Sequence, residues 1–368
     1  MIKIKDFMRR EPTFCAALFA ALLSCLAVRP DMEYIGYIDL RTLALLYCLM
    51  VVVAGLRRAG FFARLSHILC HKASSARGIS VILILLCFFS AMLVTNDVAL
   101  LTFVPFAVSV LVLAHQEDKL IWVVVLQTIA ANLGSMLTPV GNPQNLYLYS
   151  RFDMEFMTFI KVTGPIWLLS LLFVCLLCIR VPKEAIAVDL GQMPILNKKI
   201  LTVYSILFVV CLLVVLRIIT WQMMLALVLL VLLVFDRKRL LDADFLLLAT
   251  FICFFVFSGN LARIEIVNTY LRAALNGREM LVGAGVSQVI SNVPAALLLS
   301  EFTDAPNQLL LGVNIGGLGT PVASLASLIS LKLYSHADNA STGAFMKTFL
   351  VLNFALLAVL LSAAYILN

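Results

Sequence analysis

Residues 131–148 read ANLGSMLTPVGNPQNLYL, and they lie inside a long apolar run that begins near Lys119 and ends near Tyr149. Pro139 and Pro143 each remove a backbone donor and clash with the preceding turn, so no uninterrupted helix passes through. In hydrocarbon, the freed backbone groups must bond to protein, water or a ligand. The segment therefore predicts a broken transmembrane helix whose break is a candidate binding site.

This pattern occurs again in residues 314–324, NIGGLGTPVAS, 182 positions later. Five positions are identical in the two copies, and the pairs are Asn132 and Asn314, Gly134 and Gly316, Thr138 and Thr320, Pro139 and Pro321, and Val140 and Val322. A second pair of similar segments precedes them, Thr95-Asn96-Asp97-Val98-Ala99 and Ser291-Asn292-Val293-Pro294-Ala295. Two interrupted apolar segments per half, in the same order, indicate an internal repeat.

The composition excludes an ordinary soluble domain. Of the 368 residues 63% are hydrophobic and 13% charged, whereas soluble domains are about half apolar and a quarter charged. The fold class expected is an all-α polytopic membrane protein embedded in a lipid bilayer. The net charge of +7 fits the positive-inside rule. No basic patch is interleaved with aromatic residues, so no nucleic-acid partner is expected.

Each half is expected to hold a re-entrant hairpin and a broken helix, because apolar arms of about 15 residues are short for full spans. At the first hairpin the alternative is two tilted spans joined by a loop at 95–97. The predicted boundaries are 1–180 for the first repeat (hairpin 79–114, broken helix 119–149), 181–199 for a cytoplasmic linker, and 200–368 for an extra span plus the second repeat (hairpin 279–300, broken helix 308–333).

The distribution of basic residues sets the expected orientation. Of the 27 lysines and arginines, 19 lie in segments assigned to the inside when the chain starts in the cytoplasm, and eight lie in outside segments. This places the N-terminus in the cytoplasm. Nine crossings then place the C-terminus outside, and the two halves are inverted relative to each other. The expected location is the plasma or inner membrane.

Helix ends inside the membrane offer groups that bind anions and groups that bind cations. Free N–H groups and a positive dipole end suit an oxyanion, whereas free carbonyls with Thr, Ser and Asn oxygens suit a hard cation such as Na⁺. Asp97 is the acidic residue predicted at this depth, where a carboxylate is costly unless it is paired or functional. Two roles stay open for Asp97, a proton or cation ligand and a cap on the following helix arm.

The residues at the tips and breaks resemble the ion transporter superfamily, which includes divalent anion/sodium symporters, arsenite permeases, citrate transporters and NhaD-like sodium/proton antiporters. The resemblance covers nearly the whole chain. Dicarboxylate members carry Ser-Asn-Thr at each tip and Gly-Thr-Pro-x-Asn in the first broken span. Here the tips have Asp97 and Val293 at the third position, and the span reads Gly141-Asn142-Pro143-Gln144-Asn145. The Thr-Asn-Asp tip is more similar to the arsenite and antiporter branches.

The matched breaks and this resemblance together give the candidate site. The candidate ion ligands are Thr95, Asn96, Asp97, Gly141, Asn142, Ser291, Asn292, Thr320, Ala323 and Ser324. The candidate substrate ligands are Asn96, Asn132, Thr138, Asn142, Asn145, Asn292, Pro294 and Asn314. No cofactor and no metal other than Na⁺ are expected, and Na⁺ or H⁺ is the expected coupling ion.

The predicted function is ion-coupled secondary transport of a small anion by alternating access. The alternatives are a Na⁺/H⁺ antiporter or an arsenite-type efflux permease, and less favoured is a passive anion channel. An enzyme is not expected, because the sequence shows no nucleophile–base pair and no metal cluster, and it has no ATP-binding GxxxxGK[ST] motif. The resemblance further implies an elevator-like motion and a homodimer.

Overall fold

The computed structural model describes residues 7, 11–71, 73–185, 191–337 and 340–367. Within these residues every regular element is a helix, apart from an isolated antiparallel bridge between Ser75 and Ala185. This confirms the all-α membrane class.

The helices are numbered here in chain order. Those of the first half are α1 (Pro12–Ala27), α2 (Glu33–Tyr37), α3 (Leu40–Arg58), α4 (Phe61–Cys70), α5 (Ala76–Ser90), α6 (Asn96–Leu113), α7 (Leu120–Gly134), α8 (Pro143–Arg151) and α9 (Phe156–Cys178). Those of the second half are α10 (Lys198–Val215), α11 (Trp221–Phe235), α12 (Phe245–Arg263), α13 (Glu265–Leu275), α14 (Glu279–Ile290), α15 (Asn292–Leu299), α16 (Pro306–Ile315), α17 (Leu325–Tyr334) and α18 (Thr342–Leu367).

Seven helices of the described chain have the length and composition to cross a membrane. They are α3, α6, α7 extended to residues 117–137, α9, α10, α12 and α18. The predicted spans at α1 and α11 are shorter, with 16 and 15 residues. The protein is therefore a multi-pass membrane protein, whereas the total of nine crossings stays a prediction.

The helices pack as two groups. In the first, which we call the scaffold group, α12 packs on α1 while α10 and α11 pack on α3. In the second, the core group, α5 to α9 and α14 to α18 surround the two breaks. Contacts between α3 and α8 and between α12 and α15 join the two groups. Any relative movement of the groups would therefore slide α8 and α15 along the scaffold group.

Both predicted hairpins correspond to pairs of packed helices. The first pair is α5 and α6, with 15 and 18 residues, and it runs from Ala76 to Leu113 where 79–114 was predicted. The second pair is α14 and α15, with 12 and eight residues. Because α6 reaches spanning length and α5 does not, the re-entrant interpretation of the first pair stays a prediction.

Both predicted breaks occur in the structure. Between α7 and α8 the chain forms two short 3₁₀ turns, Ser135–Leu137 and Pro139–Gly141. α8 then begins with Pro143 in its first turn, and Asn142 Oδ1 accepts from the Asn145 N–H at 3.0 Å. A proline at this position costs nothing, since its missing donor would be free anyway. Between α16 and α17 the only regular turn is Pro321–Ala323.

Two predicted segments lie partly outside the described residues. In the linker at 181–199, residues 186–190 are not described, and α10 already begins at Lys198. In the N-terminal tail that was assigned to the cytoplasm, residues 1–6 and 8–10 are not described.

Candidate functional site

Asn132, in the last turn of α7, is the centre of a buried polar network. Its Oδ1 accepts from Asn96 Nδ2 at the first hairpin tip and from Ser324 Oγ before α17, both at 3.0 Å. Its own Nδ2 donates to the Gly317 carbonyl at 3.4 Å. One side chain thus connects the first tip with the unwound segment of the second half. All three side chains are buried, where an unpaired polar group is costly.

A second set of contacts centres on Asn142, the residue that caps α8. Asn142 Nδ2 lies within hydrogen-bond distance of Ser135 Oγ at 3.0 Å and of Asn314 Oδ1 at 3.3 Å. Asn314 Nδ2 in turn donates to Asn145 Oδ1 at 2.6 Å. Ser135 Oγ donates to the Asn132 carbonyl at 2.9 Å, so both sets form one network.

The contacts between the halves pair matched positions. Asn132 corresponds to Asn314 in the repeated motif, and by the same offset Asn142 corresponds to Ser324. Asn142 bonds to Asn314, and Ser324 bonds to Asn132. Each half therefore uses the residue after its break to hold the asparagine before the break of the other half.

Asn145, a candidate substrate ligand, has its amide fully occupied by protein. Its Nδ2 lies 3.2 to 3.4 Å from the carbonyls of Ser135, Met136 and Thr138. These carbonyls belong to the broken segment, and that of Thr138 also accepts from the Gly141 N–H at 3.2 Å. The arrangement makes Asn145 a brace of the first break.

A cavity of about 280 Å³ between the two helix groups reaches the network. Its scaffold wall includes Arg57, Asp242 and Asp244. Thr95, Asp97 and Asn142 are the candidate ligands that line it, while the other candidates of the network lie behind them. A solute that enters the cavity therefore meets the first tip and the α8 cap.

Asp97 occupies this cavity without a hydrogen-bond partner for its buried Oδ1. The backbone N–H of Asp97 is bonded at 3.0 Å by Asn96 Oδ1, and neither Thr95 nor Asp97 gives α6 a side-chain cap. The capping role considered for Asp97 is thus not seen in this structure. Asp244, across the cavity, caps α12 by accepting from the Leu247 N–H at 2.9 Å.

The second tip does not line this cavity. Ser291 has a backbone φ of +76°, a conformation that is strained for any residue other than glycine. Its Oγ donates to the Ala323 carbonyl at 3.4 Å. Asn292 packs against Gly317, where a Cβ would lie 2.9 Å from Asn292 Nδ2. The structure thus brings the second tip to the second break.

Four further candidates are held in place by local contacts. Thr320 Oγ1 donates to the Gln288 carbonyl at 2.8 Å, and Thr138 Oγ1 donates to the Met92 carbonyl. Pro294 is buried in the first turn of α15. Gly141 is packed so closely that a Cβ would lie 2.0 Å from the Ser135 carbonyl oxygen.

At the opposite end, polar contacts hold α8 against the end of α15. Arg151 donates from Nε and Nη2 to the two carboxylate oxygens of Glu301 at 3.2 and 3.0 Å. Tyr147 and Ser300 share a hydrogen bond of 2.8 Å. These contacts border a separate cavity of about 550 Å³. Candidate ligands thus line the cavity beside Arg57, whereas none of them lines the cavity beside Arg151.

Salt bridges also form at this second end, one within the scaffold group and one between the scaffold and core groups. Arg263 bonds Asp31 at 2.7 Å and holds the pKa of that carboxyl below its ordinary value. Arg217 bonds Asp153 at 2.9 Å. These pairs are at least a quarter exposed and contribute little stability individually.

Sequence reasoning missed several residues of the site. Ser135 links the two asparagine sets, and Trp167 Nε1 donates to the Gly134 carbonyl at 3.1 Å. Gln288 bonds the second unwound segment through both ends of its amide. Gln288 could have been identified from the sequence, because it is a polar residue one turn before a predicted tip.

Residues 6–308 match the sequence profile of the family described as citrate transporter. The chain belongs to this citrate transporter family. An uncharacterized transporter of Methanocaldococcus jannaschii is 32% identical over 338 residues, which cover 91% of this chain and 92% of the relative. The inner membrane protein YbiR of Escherichia coli is 29% identical over 304 residues, which cover 80% of each chain.

A third relative, which matches a shorter part of this chain, is named for silicon efflux. The silicon efflux transporter LSI3 of Oryza sativa subsp. japonica is 30% identical over 145 residues, 39% of this chain and 30% of the relative. Family and relatives confirm the predicted superfamily and a membrane transporter rather than an enzyme.

Proposed function

We propose that the protein is an ion-coupled secondary transporter that moves a small anion across the cell membrane by alternating access. The observation that carries the proposal is the network around Asn132, in which matched residues of the two halves hold each other at two helix breaks. Broken helices that meet inside a membrane protein are where transporters bind substrate and coupling ions.

The two ends of the site support alternating access. On one side a cavity leads to Asn142 and Thr95, and on the other side the cavity beside the Arg151–Glu301 pair is lined by none of the candidate ligands. The positive-inside rule assigns the open side, with Arg57 and the basic residues 237–239, to the cytoplasm. We assign the structure to an inward-open state, with the N-terminus inside and the C-terminus outside.

The oxygen atoms around the breaks support a coupling ion. Asn132 Oδ1 and the Gly317 carbonyl are neutral oxygens of the kind that bind Na⁺. Asp97 adds a carboxylate with an unpartnered buried oxygen, which suits either Na⁺ or a proton. Exchange of the two ions at Asp97 would correspond to a Na⁺/H⁺ antiporter.

A second candidate cargo is an uncharged hydroxylated acid, such as undissociated arsenous or silicic acid. The charges around the cavity favour it, because Asp97, Asp242 and Asp244 line the entrance against one arginine, Arg57. Three carboxylates repel an anion, whereas a network of amides and hydroxyls bonds a neutral hydroxylated molecule well. A relative named for silicon efflux, together with the arsenite branch, agrees with this chemistry.

Uptake into proteoliposomes tests both versions. Citrate, arsenite and silicate are supplied separately under a Na⁺ gradient, a proton gradient or neither. Accumulation above the external concentration under one gradient supports the carrier, and the cargo that accumulates selects the version. Equilibration without accumulation under every gradient would identify a passive channel and refute the proposal.

We also propose that the protein is a homodimer, which follows from the family resemblance. Sedimentation of the detergent-solubilised protein measures the mass of the assembly after the detergent is subtracted. A mass of 40.5 kDa, that of one chain, would refute the dimer.

A further inference from the structure

Gln288, one turn before the second tip, braces the unwound segment between α16 and α17. Its Nε2 lies within hydrogen-bond distance of the carbonyls of Gly316 at 2.9 Å and Leu318 at 3.0 Å, and of Ala284 one turn earlier on α14 at 3.1 Å. Its Oε1 accepts from the Thr320 N–H at 2.9 Å. One amide thus bonds three backbone groups within the unwound segment.

The backbone approaches Gln288 so closely that one position requires glycine. Gly319 has a φ of +103°, and a Cβ on it would lie 2.1 Å from Gln288 Oε1. Glycine adopts this conformation without steric cost. Residues 316–320 therefore pack closely around the Gln288 amide.

The first break is braced in a similar way from another position. There Asn145 Nδ2 bonds three carbonyls of the unwound segment. At the position that matches Gln288, four residues before the tip asparagine, the first half has Met92. Met92 contributes its carbonyl to Thr138, as Gln288 contributes its carbonyl to Thr320, but it has no amide side chain.

The second half shows the opposite arrangement, with an amide at the position of Met92 and none at the position of Asn145. The residue that matches Asn145 by the repeat offset is Ser327. Ser327 Oγ is buried and has no hydrogen-bond partner. Each half thus has one bracing amide, at Asn145 in the first and at Gln288 in the second. This indicates that each break requires an amide side chain that bonds its unwound backbone. Gln288 provides this amide in the second half, because Ser327 has none.

We propose that Gln288 is a positioning residue for a coupling-cation site at the second break, where the candidate ion ligand Thr320 lies. The Thr320 hydroxyl gives its hydrogen to the Gln288 carbonyl, so its oxygen lone pairs remain free for a cation. The Gln288 amide fixes the Thr320 backbone at the same time. Loss of this amide frees the segment and lowers cation affinity. The inference rests on the proposed ion-coupled transport.

The test uses full-length protein in proteoliposomes and in detergent. Uptake is measured against Na⁺ concentration at fixed pH and against pH without Na⁺, and Na⁺-dependent thermal stabilisation is measured without cargo. The variants are Gln288→Leu and Gln288→Glu. The control is Gln222→Leu, since Gln222 is an exposed glutamine on α11.

Gln288→Leu is expected to raise the cation concentration for half-maximal uptake and stabilisation about tenfold, because it removes the part-buried hydrogen bonds of the amide to Gly316, Leu318 and Thr320. The KM for cargo at saturating cation should stay near the wild-type value. An unchanged cation dependence, or a lower maximal rate alone, overturns the proposal. If wild-type uptake depends on neither gradient, the proposed function itself fails and this inference falls with it.

Gln288→Glu keeps the test valid if the leucine variant does not fold. Its carboxylate accepts from the Thr320 N–H but donates nothing to Gly316 or Leu318, whereas its protonated form donates one hydrogen bond. The defect in cation dependence, relative to wild type at the same pH, should therefore shrink as the pH falls. A defect that does not change with pH, or no defect at all, overturns the positioning role.

Discussion

Ser324 Oγ lies 3.0 Å from Asn132 Oδ1, and this hydrogen bond ties the start of α17 to the end of α7. The two residues are 192 positions apart and come from opposite halves of the chain. Because both side chains are buried, the bond also satisfies two polar groups that water does not reach. The geometry of each break therefore depends on the other half.

Replacement of Asn132 is expected to damage both breaks. Asn132→Ala removes the acceptor for Asn96 and Ser324 and the donor to the Gly317 carbonyl. Each buried partner that is left unpaired should lower the free energy of unfolding by about 1–3 kcal/mol. We expect a lower unfolding temperature and loss of uptake in proteoliposomes.

Asn353→Ala provides the matched control. Asn353 is a buried asparagine on α18 whose Nδ2 donates to the Phe349 carbonyl of its own helix at 2.8 Å. Its removal should lower stability by about 1 kcal/mol and leave uptake intact. The loss of uptake is compared with the decrease in unfolding temperature for Asn132→Ala and for Asn353→Ala. If the ratio of the two is the same for both variants, the network has no specific role in transport.

The breaks were predictable because their cause is local. Pro139 and Pro143 forbid a continuous helix wherever the rest of the chain folds. The asparagines Asn132 and Asn314 were identified by repetition alone, and the structure places both in the network. The helix that follows the first break also begins where Asn142 and Pro143 indicate.

The roles within the site were less predictable because they depend on partners that only folding brings near. Asn145 was predicted to bind substrate, but its amide is taken by carbonyls of the unwound segment. The same holds for Gln288, whose partners in the unwound segment lie 28 to 32 positions away in the chain. A sequence pattern identifies an amide at a break, and only the folded backbone determines what the amide bonds.

The tight packing around Gly141 gives a prediction about backbone approach. A Cβ at this position would lie 2.0 Å from the Ser135 carbonyl oxygen, so the 3₁₀ turn must move to accept alanine. Gly141→Ala should abolish uptake and lower the unfolding temperature. Gly285→Ala is the control, because nothing lies within 4 Å of its added Cβ. On helix α14 that change should stabilise the protein by up to about 1 kcal/mol. Equal effects of the two substitutions would contradict the packing argument.

The inverted arrangement predicted for the halves places two exposed residues on opposite sides of the membrane. His115 lies between α6 and α7, and Asn307 lies in the first turn of α16. In a variant without the nine native cysteines, His115→Cys should react with an impermeant thiol reagent from the cytoplasmic side only. Asn307→Cys should react from the outside only. Labelling of both from the same side would show that the two hairpins open in one direction and that the inverted topology is wrong.

Asp97 is expected to couple cargo movement to an ion gradient. Its buried Oδ1 has no hydrogen-bond partner in the cavity, so burial disfavours the carboxylate until a cation binds to it or a proton neutralises it. Asp97→Asn keeps the size of the side chain and removes the charge. Gradient-driven accumulation should be lost, while exchange of labelled for unlabelled cargo across the membrane continues. Asp242→Asn, at an exposed carboxylate on the same cavity, should retain accumulation. If Asp97→Asn accumulates cargo with the wild-type dependence on Na⁺ and pH, Asp97 has no part in coupling.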